Sequence, residues 1–180
     1  MKKFELTTES ITNVAGKKLF RIKALIDFGD VKAGEVGGYV EKEENVSQDG
    51  NAWVSGDARV SGDAWVYGNA WVSGDARVSG DARVYGNAMV YGDARVSGNA
   101  MVYGDADYAL VQGFGTEFRC TTFYRDKNKK TMVNCGCFHG NLEQFREQVK
   151  KTRTGKIAKE YLTIADLMEE HFASEDSDNE

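Results

Sequence analysis

The middle of the chain repeats one six-residue pattern of apolar and polar positions. From Ala52 the sequence reads Ala-x-Val-(Ser/Tyr)-Gly-(Asp/Asn) nine times without a break, and a valine recurs every six residues from Val54 to Val102. Alternation along a strand places Ala and Val on one face and the two variable residues on the other. Gly and Asp or Asn tolerate positive φ, so each unit is predicted to end in a sharp corner and the chain to coil.

The variable positions predict how many units make one coil. Outward residues of one kind return after three units, which is eighteen residues. One face then carries Arg59, Ser61, Arg77, Ser79, Arg95 and Ser97; a second carries Trp65, Tyr67, Arg83, Tyr85, Met101 and Tyr103; a third carries Trp53, Ser55, Trp71, Ser73, Met89 and Tyr91. The pattern therefore predicts a three-sided prism with a narrow core of Ala and Val and about 4.8 Å between coils.

The units resemble those of the hexapeptide-repeat family, whose coils form left-handed parallel β-helices. In that family an aliphatic residue is followed four positions later by a small one, as Val54 is followed by Ala58. The resemblance covers residues 52–106, and it alone implies the left-handed coiling. We expect a mainly β fold, namely a left-handed parallel β-helix in the form of a three-sided solenoid, with an addition at each end.

Residues 1–45 are predicted to form an N-terminal β cap on the solenoid, which itself spans residues 46–107. Strands are expected at Phe4–Leu6 and Leu19–Leu25, on either side of a polar loop. Val46 and Val54 are eight residues apart instead of six. The first coil is therefore predicted to contain a two-residue insertion near Gln48–Gly50, because terminal repeats must close the core and are commonly irregular.

Residues 108–173 lack the repeat and are predicted to form a small α+β module. Strands at residues 116–124 and 131–137 flank a polar turn, which favours a β-hairpin. A capping box of Asn141 with Gln144 predicts one helix start, and Thr163 with Asp166 predicts a second. The acidic residues 174–180 are expected to be a disordered tail.

Composition narrows the class of protein. The 180-residue chain has a formal net charge of -5, which argues against nucleic acid as a partner. No apolar run approaches the roughly 18 residues of a membrane span, and the first residues lead into no signal-type segment, so no membrane association is expected. Three cysteines are too few for a secreted disulfide framework. We therefore expect a cytoplasmic protein.

Candidate catalytic residues are few. Hexapeptide-repeat folds include acyltransferases, which need a histidine base, and carbonic-anhydrase-like enzymes, which hold zinc with several histidines. The two histidines here, His139 and His171, lie outside the repeat, so acid–base catalysis and zinc binding have no candidate in the solenoid. We predict no catalytic residues and no cofactor, and an acyltransferase that uses His139 is the least favoured alternative.

Four residues of the C-terminal module are suitable zinc ligands: Cys120, Cys135, Cys137 and His139. The usual spacing of a structural zinc site, Cys-x-x-Cys, is not present among them. A hairpin symmetric about Lys127 and Asn128 would place Cys120 opposite Cys135, and alternation would put all three cysteines on one apolar face with Phe118 and Val133. We favour buried, inert thiols and no metal.

The outward residues supply two kinds of candidate binding surface. Two faces are rich in residue types that are enriched in interface cores and seldom exposed together on monomers: Trp53, Trp71, Met89 and Tyr91 on one, and Trp65, Tyr67, Arg83, Tyr85, Met101 and Tyr103 on the other. We expect self-association or docking there, unless the terminal modules fold back over these faces. The Arg59, Arg77 and Arg95 ladder is a candidate site for a phosphate-bearing ligand or an acidic protein. Neutralisation by neighbouring aspartates across the corners is the favoured alternative.

Longer segments resemble those of hexapeptide-repeat proteins encoded by bacteriophages and prophages: Ile22–Leu25, Gly37–Glu43 and Cys135–Phe138. No activity comes with that resemblance. We expect a non-enzymatic binding and assembly protein in the host-cell cytoplasm, a homo-oligomer with a trimer favoured, that contacts a host protein and inhibits a host defence system. The alternative is a protein that sequesters nucleotides or small anions, with Trp65, Arg83 and Tyr85 supplying stacking and charge.

Overall fold

A computed structural model describes residues 2–104, 107–116 and 119–173, with the side chain of Arg119 left out. The chain divides into two compact units, Met1–Asp105 and Ala106–Glu180. Two parts of the sequence analysis fall outside the described residues, namely Phe118 and the acidic segment 174–180. Within the described part of the chain, no helix is long and apolar enough to cross a membrane.

The first unit begins with three antiparallel strands. Strand β1 covers Phe4–Thr12, β2 covers Lys18–Ala24 and β3 covers Val36–Val40, and β2 pairs with both of the others. The strands predicted near Phe4 and Leu19 are therefore confirmed. The turn between β1 and β2 is held by Asn13, whose side-chain oxygen accepts hydrogen bonds from the backbone N–H groups of Ala15 and Lys17.

Short strands of two residues then follow at intervals of six residues. They are β4 Trp53–Val54, β5 Arg59–Val60, β6 Trp65–Val66, β7 Trp71–Val72, β8 Arg77–Val78, β9 Arg83–Val84, β10 Met89–Val90, β11 Arg95–Val96 and β12 Met101–Val102. The Ala and Val of every unit are at most 1% exposed. The predicted inward and outward positions are therefore confirmed, and the core is built from two small residue types that fit a narrow interior.

Strands β4 to β12 pair in parallel at a separation of eighteen residues, β3 pairs with β5 at a separation of twenty, and together they form three ladders. The first ladder joins β3, β5, β8 and β11; the second joins β4, β7 and β10; the third joins β6, β9 and β12. Arg59 is in register with Arg77, and Arg77 with Arg95, as the eighteen-residue period requires. The prediction of a parallel β solenoid with this period is confirmed.

The corners between strands repeat as regularly as the strands do. Gly56 and Gly74 have φ of 63° and 69°, a conformation that glycine adopts without steric cost. At another corner three asparagines form a column of side-chain hydrogen bonds. The Nδ2 atom of Asn51 donates to Asn69 Oδ1, and that of Asn69 donates to Asn87 Oδ1, each at 3.1 Å. Side-chain amides thus extend the backbone pairing of the coils.

The first coil is completed by groups from outside the repeat. Backbone N–H groups of each coil donate to carbonyl groups of the following coil, so the carbonyl groups of the first coil receive nothing from a coil before them. Different donors satisfy them on the three ladders. The backbone N–H groups of Tyr39 in β3 and of Glu41 just after it donate to Ala58 O and Val60 O. The side chain of Asn45 donates to Gly62 O and Ala64 O, and the ammonium group of Lys3 donates to Gly50 O and Ala52 O.

The predicted insertion lies in this first coil. Ser47 N donates to Val66 O, nineteen positions away, whereas Asn51 N donates to Gly68 O, seventeen positions away, so two extra residues lie between Ser47 and Asn51. Gln48 in this insertion accepts hydrogen bonds from the backbone N–H groups of Lys3 and Phe4 and donates one to Phe4 O. The insertion therefore anchors the start of β1.

The second unit is a four-stranded antiparallel sheet followed by two helices. Its strands are β13 Tyr108–Phe114, β14 Arg119–Arg125, β15 Thr131–Cys135 and β16 Phe138–Asn141, and its helices are α1 Leu142–Thr152 and α2 Gly155–His171. The strands pair in chain order. Apolar residues of the helices pack with Phe123 and Val133 on one face of the sheet. The small α+β module and its hairpin of β14 and β15 agree with the sequence pattern.

Helix α1 confirms one prediction, and α2 corrects another. Asn141 and Gln144 form both hydrogen bonds of the capping box that the sequence predicts. The second helix, however, begins at Gly155 and not at Thr163. The helix starts eight residues earlier than predicted, because Ile157 and Tyr161 also pack against the helix–sheet core. Burial of that longer stripe outweighs the local capping signal of Thr163, which is exposed in the middle of the helix.

Candidate functional site

The third ladder carries a continuous row of aromatic side chains, which we call the tyrosine row: Trp65, Tyr67, Tyr85 and Tyr103. The rings of Trp65 and Tyr67 stack with centroids 4.2 Å apart, and those of Tyr67 and Tyr85 stack at 5.0 Å and an angle of 5°. Tyr103 meets Tyr85 edge-on at 5.1 Å. These separations follow from the ladder, since parallel strands lie about 4.8 Å apart and each tyrosine has the same position in its unit.

The tyrosine row combines mutual packing with exposure. Trp65 is 40% exposed and Tyr103 is 61% exposed. Burial raises the pKa of Tyr67, with a further contribution from the neighbouring Tyr85. The row therefore offers broad, nearly rigid aromatic surface with hydroxyl groups at its edge, a combination that is typical of protein–protein contacts.

A cleft of about 510 Å³ lies at the Trp65 end of the row. Its walls include Lys42, Glu44, Trp65 and Arg83. Lys42 pairs with Asp63 at 2.6 Å, and this hydrogen bond lowers the pKa of that carboxyl group. Among the described residues, no carboxylate lies within 4.0 Å of Arg83. The cleft thus has one aromatic wall and one guanidinium group available to a ligand.

The other aromatic face differs from the prediction at its first residue. Trp53 is 0% exposed, because Phe4 and Phe28 of the N-terminal segment pack edge-on against its ring, with centroids 6.2 and 5.4 Å away. The prediction that Trp53 belongs to an open surface is wrong. The alternative, that a terminal segment folds back over the aromatic face, is correct for this residue. The next two positions up the ladder remain accessible, since Trp71 is half-buried and Met89 is 48% exposed.

A hydrogen bond fixes the position of Trp71 on its ladder. Its Nε1 atom donates to the hydroxyl of Ser55 at 2.9 Å. Met89 is paired with Trp71 on the next strand, and Tyr91, two positions later, is 55% exposed. We call these three residues the second stripe.

The arginine ladder lies on the face that β3 extends. Arg59 and Arg77 are half-buried, and in the described part of the chain neither has a carboxylate within 4.0 Å. Burial lowers the pKa of Arg77, and repulsion from Arg95 and Arg59 lowers it more than Asp75 and Asp93 raise it. Asp75 and Asp93 thus offset the repulsion at Arg77 only in part, and neutralisation of the ladder across the corners stays a prediction.

The cysteines do not share one face. Thr121 is the partner of Cys135 in the pairing of β14 with β15, so Cys120 is not opposite Cys135 as predicted. The five-residue loop from Asp126 to Lys130 shifts the register by one position, and such a shift moves a side chain to the other face of the sheet. Cys135 lies on the helix side, where Thr121 Oγ1 donates to its sulfur at 3.2 Å.

The remaining candidate zinc ligands are also dispersed. Cys137 follows Gly136 in an exposed turn after β15, so the prediction that it lies on the strand is wrong. His139 Nε2 lies 3.0 Å from the hydroxyl of Tyr124. Within the described residues, no three side chains of His, Cys, Asp or Glu are grouped so that they could hold a metal ion.

Comparison with known families agrees with this geometry. A family model described as the YdcK beta solenoid repeat matches residues 52–68, 82–96 and 94–106. The chain is thus similar to a family of β-solenoid repeats over segments that contain the tyrosine row and two members of the arginine ladder, Arg59 and Arg95. No curated protein matches the chain significantly.

Some residues that border the candidate surfaces lie outside the repeat and could not be identified from it. The turn at Asn13–Ala15 borders the arginine ladder, and residues 42–48 border the cleft beside Trp65. Both segments precede the regular units, where the period gives no information. The eight-residue step from Val46 to Val54 was the one signal that this part of the chain departs from the regular coil.

Proposed function

We propose that this protein is a non-enzymatic binding and assembly protein that forms a homo-oligomer, with a trimer favoured. The observation that carries the proposal is the tyrosine row, which is regular, stacked and partly exposed along a whole ladder. Tyr and Trp are enriched at the centres of interfaces because they bury large areas and lose little side-chain entropy. Copies packed side by side would bury these rows against one another.

The same proposal includes the finer features of the fold. We infer that the three ladders form a three-sided prism that coils to the left, as in the hexapeptide-repeat family. The six-residue units with a valine and an alanine four positions later support this inference. Flat sides and parallel axes favour lateral packing of three copies.

Exchange of Tyr85 for serine tests the assembly. Serine occupies the same position in other units, so Tyr85→Ser preserves the coil. Loss of a central interface residue is expected to weaken association by about 2 kcal/mol or more, and the mass measured by light scattering falls toward that of one chain. Tyr91→Ser, the matched change on the second ladder, keeps the mass unchanged. A monomeric wild-type protein would contradict the proposal.

We also propose that the protein is phage-encoded and inhibits a host defence system through the second stripe. Support comes from the resemblance of its segments to phage and prophage proteins, and from the exposure of Met89 and Tyr91. Cells that carry a defence system and express this chain should then permit plaque formation. Tyr91→Ser is expected to abolish that effect while the oligomer persists, and failure of the wild type against a panel of defence systems would refute it.

Sequestration of a nucleotide is the second candidate function. The cleft of about 510 Å³ beside Trp65 favours it, since its volume is in the range of small-molecule sites, ~300–1,000 Å³. A base would stack on Trp65 while Arg83 pairs with phosphate. Quenching of tryptophan fluorescence by nucleotides, lost in Arg83→Gln, is the expected signature, and an unchanged spectrum across a broad panel would dismiss this function.

A further inference from the structure

The arginine ladder repeats a small set of polar groups from one coil to the next. Arg59 and Arg77 are adjacent and in register on parallel strands, so their backbones are about 4.8 Å apart. Ser61 and Ser79 follow two positions later on the same outward face, in the same register. Each coil therefore presents one guanidinium group and one hydroxyl group, and the described residues bring no carboxylate within 4.0 Å of either arginine.

A turn of the N-terminal strands makes this part of the ladder concave. A cleft of about 210 Å³ is lined by Asn13, Val14 and Ala15 on one side and by the two arginines and two serines on the other. Asn13 fixes the turn through two hydrogen bonds to its backbone. Val14 is 99% exposed at the tip. The arginines thus line a shaped recess instead of an open convex surface.

Guanidinium groups at this spacing repel one another. The pKa of Arg77 is lowered first by burial and then by its two arginine neighbours. A row of like charges costs folding free energy unless an anion is present. Guanidinium groups match phosphate oxygens with two parallel hydrogen bonds, and serine hydroxyls donate to the same oxygens.

We propose that the recess formed by Arg59, Arg77, Ser61, Ser79 and the Asn13–Ala15 turn binds a diphosphate group carried by a small molecule. Two Arg–Ser sets on adjacent coils match two adjacent phosphoryl groups, one for each coil. The recess is smaller than the ~300–1,000 Å³ of sites that enclose a whole organic ligand. It therefore holds the anionic group, and any organic part extends past Val14. The site is on a different ladder from the tyrosine row and is independent of assembly.

Calorimetry with inorganic pyrophosphate on the full chain tests the site. Removal of one charged hydrogen-bonding group is expected to weaken binding by about tenfold or more, so Arg77→Gln and Arg59→Gln should each raise the Kd by that factor. Arg153→Gln is the control, since Arg153 is an exposed arginine of the second unit with no part in either cleft of the solenoid, and its Kd should stay within about twofold of wild type. Equal losses in all three variants would show non-specific attraction and overturn the proposal.

Comparison of the affinities of other anions distinguishes a diphosphate site from a site for other ligands. Orthophosphate and sulfate should bind at least about tenfold more weakly than pyrophosphate, because each occupies one Arg–Ser set. ADP should bind about as well as pyrophosphate, since its organic part lies outside the recess. Absence of pyrophosphate binding, equal affinity for sulfate, or a phosphoserine peptide that binds more tightly than pyrophosphate would each refute the assignment.

Thermal unfolding gives a second readout, because it also reports the stability of the protein without ligand. Without ligand and at low salt, Arg77→Gln should unfold at a higher temperature than wild type, because it removes like-charge repulsion. Pyrophosphate should raise the Tm of wild type and leave that of Arg77→Gln nearly unchanged. A lower Tm for Arg77→Gln would mean that Asp75 and Asp93 stabilise this arginine, and would contradict the site.

The turn supplies a test that leaves the arginines in place. Val14 is exposed, so Val14→Asp keeps the fold and introduces a carboxylate at the rim of the recess. Its Kd for pyrophosphate should rise severalfold, and the effect should shrink in high salt. Val14→Asn, which has the same shape without the charge, should bind like wild type. Identical affinities for both variants would show that the turn is not part of the site.

Discussion

At the scale of single residues, the end of the solenoid depends on a buried ammonium group. Lys3 Nζ donates to Ala52 O at 2.8 Å and lies 4.7 Å from the centre of the Phe28 ring. Burial lowers its pKa from 10.5 to about 8. Sequence alone did not indicate this role, since a lysine near the start of a chain is usually solvated. The same holds for Trp53 and Trp71, which share one position in the repeat but differ in burial because Phe4 and Phe28 come from outside it.

Replacement of Lys3 has an expected effect on stability and on its pH dependence. Lys3→Met leaves Gly50 O and Ala52 O without donors, which should cost about 1–3 kcal/mol of the free energy of unfolding. The unfolded chain binds the lysine proton more tightly than the folded chain, so the contribution of Lys3 rises with pH between about 8 and 10.5 and is constant below that window. Urea unfolding at a series of pH values measures it.

The control for Lys3 is a lysine in solvent. Lys32 is exposed, so Lys32→Met should change the free energy of unfolding by little at any pH. If the difference between wild type and Lys3→Met stays constant from pH 7 to 10.5, the proposed shift in the pKa of Lys3 is wrong.

At the scale of elements, the coil is held by columns that repeat along the axis. The asparagine column uses amides that both donate and accept, so each member satisfies the next. Asp75 has the equivalent position at a different corner, between Asp57 and Asp93, where carboxylates cannot donate to one another. The eighteen-residue period predicts that equivalent corner residues form columns. The contacts within each column are known only from the paired strands of the structure.

Exchanges at Asn69 and Asp75 are expected to have opposite effects. Asn69→Asp removes a donor from the asparagine column and should lower the free energy of unfolding by about 1 kcal/mol. Asp75→Asn introduces a donor between two carboxylates and relieves like-charge repulsion, so the Tm should rise. Thermal unfolding of the two variants side by side measures both effects, and a shift of the same sign in both would contradict this role of the columns.

In the second unit, the pairing register of β14 with β15 decides which side chains lie opposite one another. The sequence indicated a hairpin of β14 and β15, and the paired residues differ from the symmetric expectation by one position. Loop length decides that register, and a tight turn and a five-residue loop cannot be distinguished from the residues around Lys127 and Asn128 alone. One position was enough to separate Cys120 from Cys135.

At the scale of the whole molecule, the solenoid could be predicted nearly residue by residue, whereas the contacts that other segments make with it could not. Every Ala and Val of the units is buried as the pattern requires, because a strict period leaves one way to hide them. The recess at the arginine ladder depends on a turn more than forty residues earlier in the chain. Contacts of that kind come from tertiary packing and have no local signal.

Deletion of one whole coil tests this modular construction. Removal of residues 70–87 takes out eighteen residues and brings Trp53 beside Met89 and Arg59 beside Arg95, so every ladder keeps its own residue types. This variant should fold cooperatively with a lower Tm, since stability in solenoids is a sum over neighbouring repeats.

The matched deletion removes one unit only. Without residues 70–75 the buried Ala and Val positions remain in phase, but Arg77 and the residues after it move to another ladder. Circular dichroism and thermal unfolding should show a less cooperative and less stable protein than the eighteen-residue deletion. Equal stability of the two variants would mean that the ladders have no preference for their own residues.

The completed first coil has a consequence for growth. A parallel solenoid with bare peptide groups at both ends would add further molecules head to tail and polymerise into a fibre, as exposed sheet edges do. Head-to-tail stacking needs both partners of each junction, and here the carbonyl groups at one end already accept from Lys3, Asn45 and β3. Because these carbonyl groups are already hydrogen-bonded, they are not available to the N–H groups of a second molecule. Head-to-tail growth of this molecule into filaments through that end is therefore disfavoured.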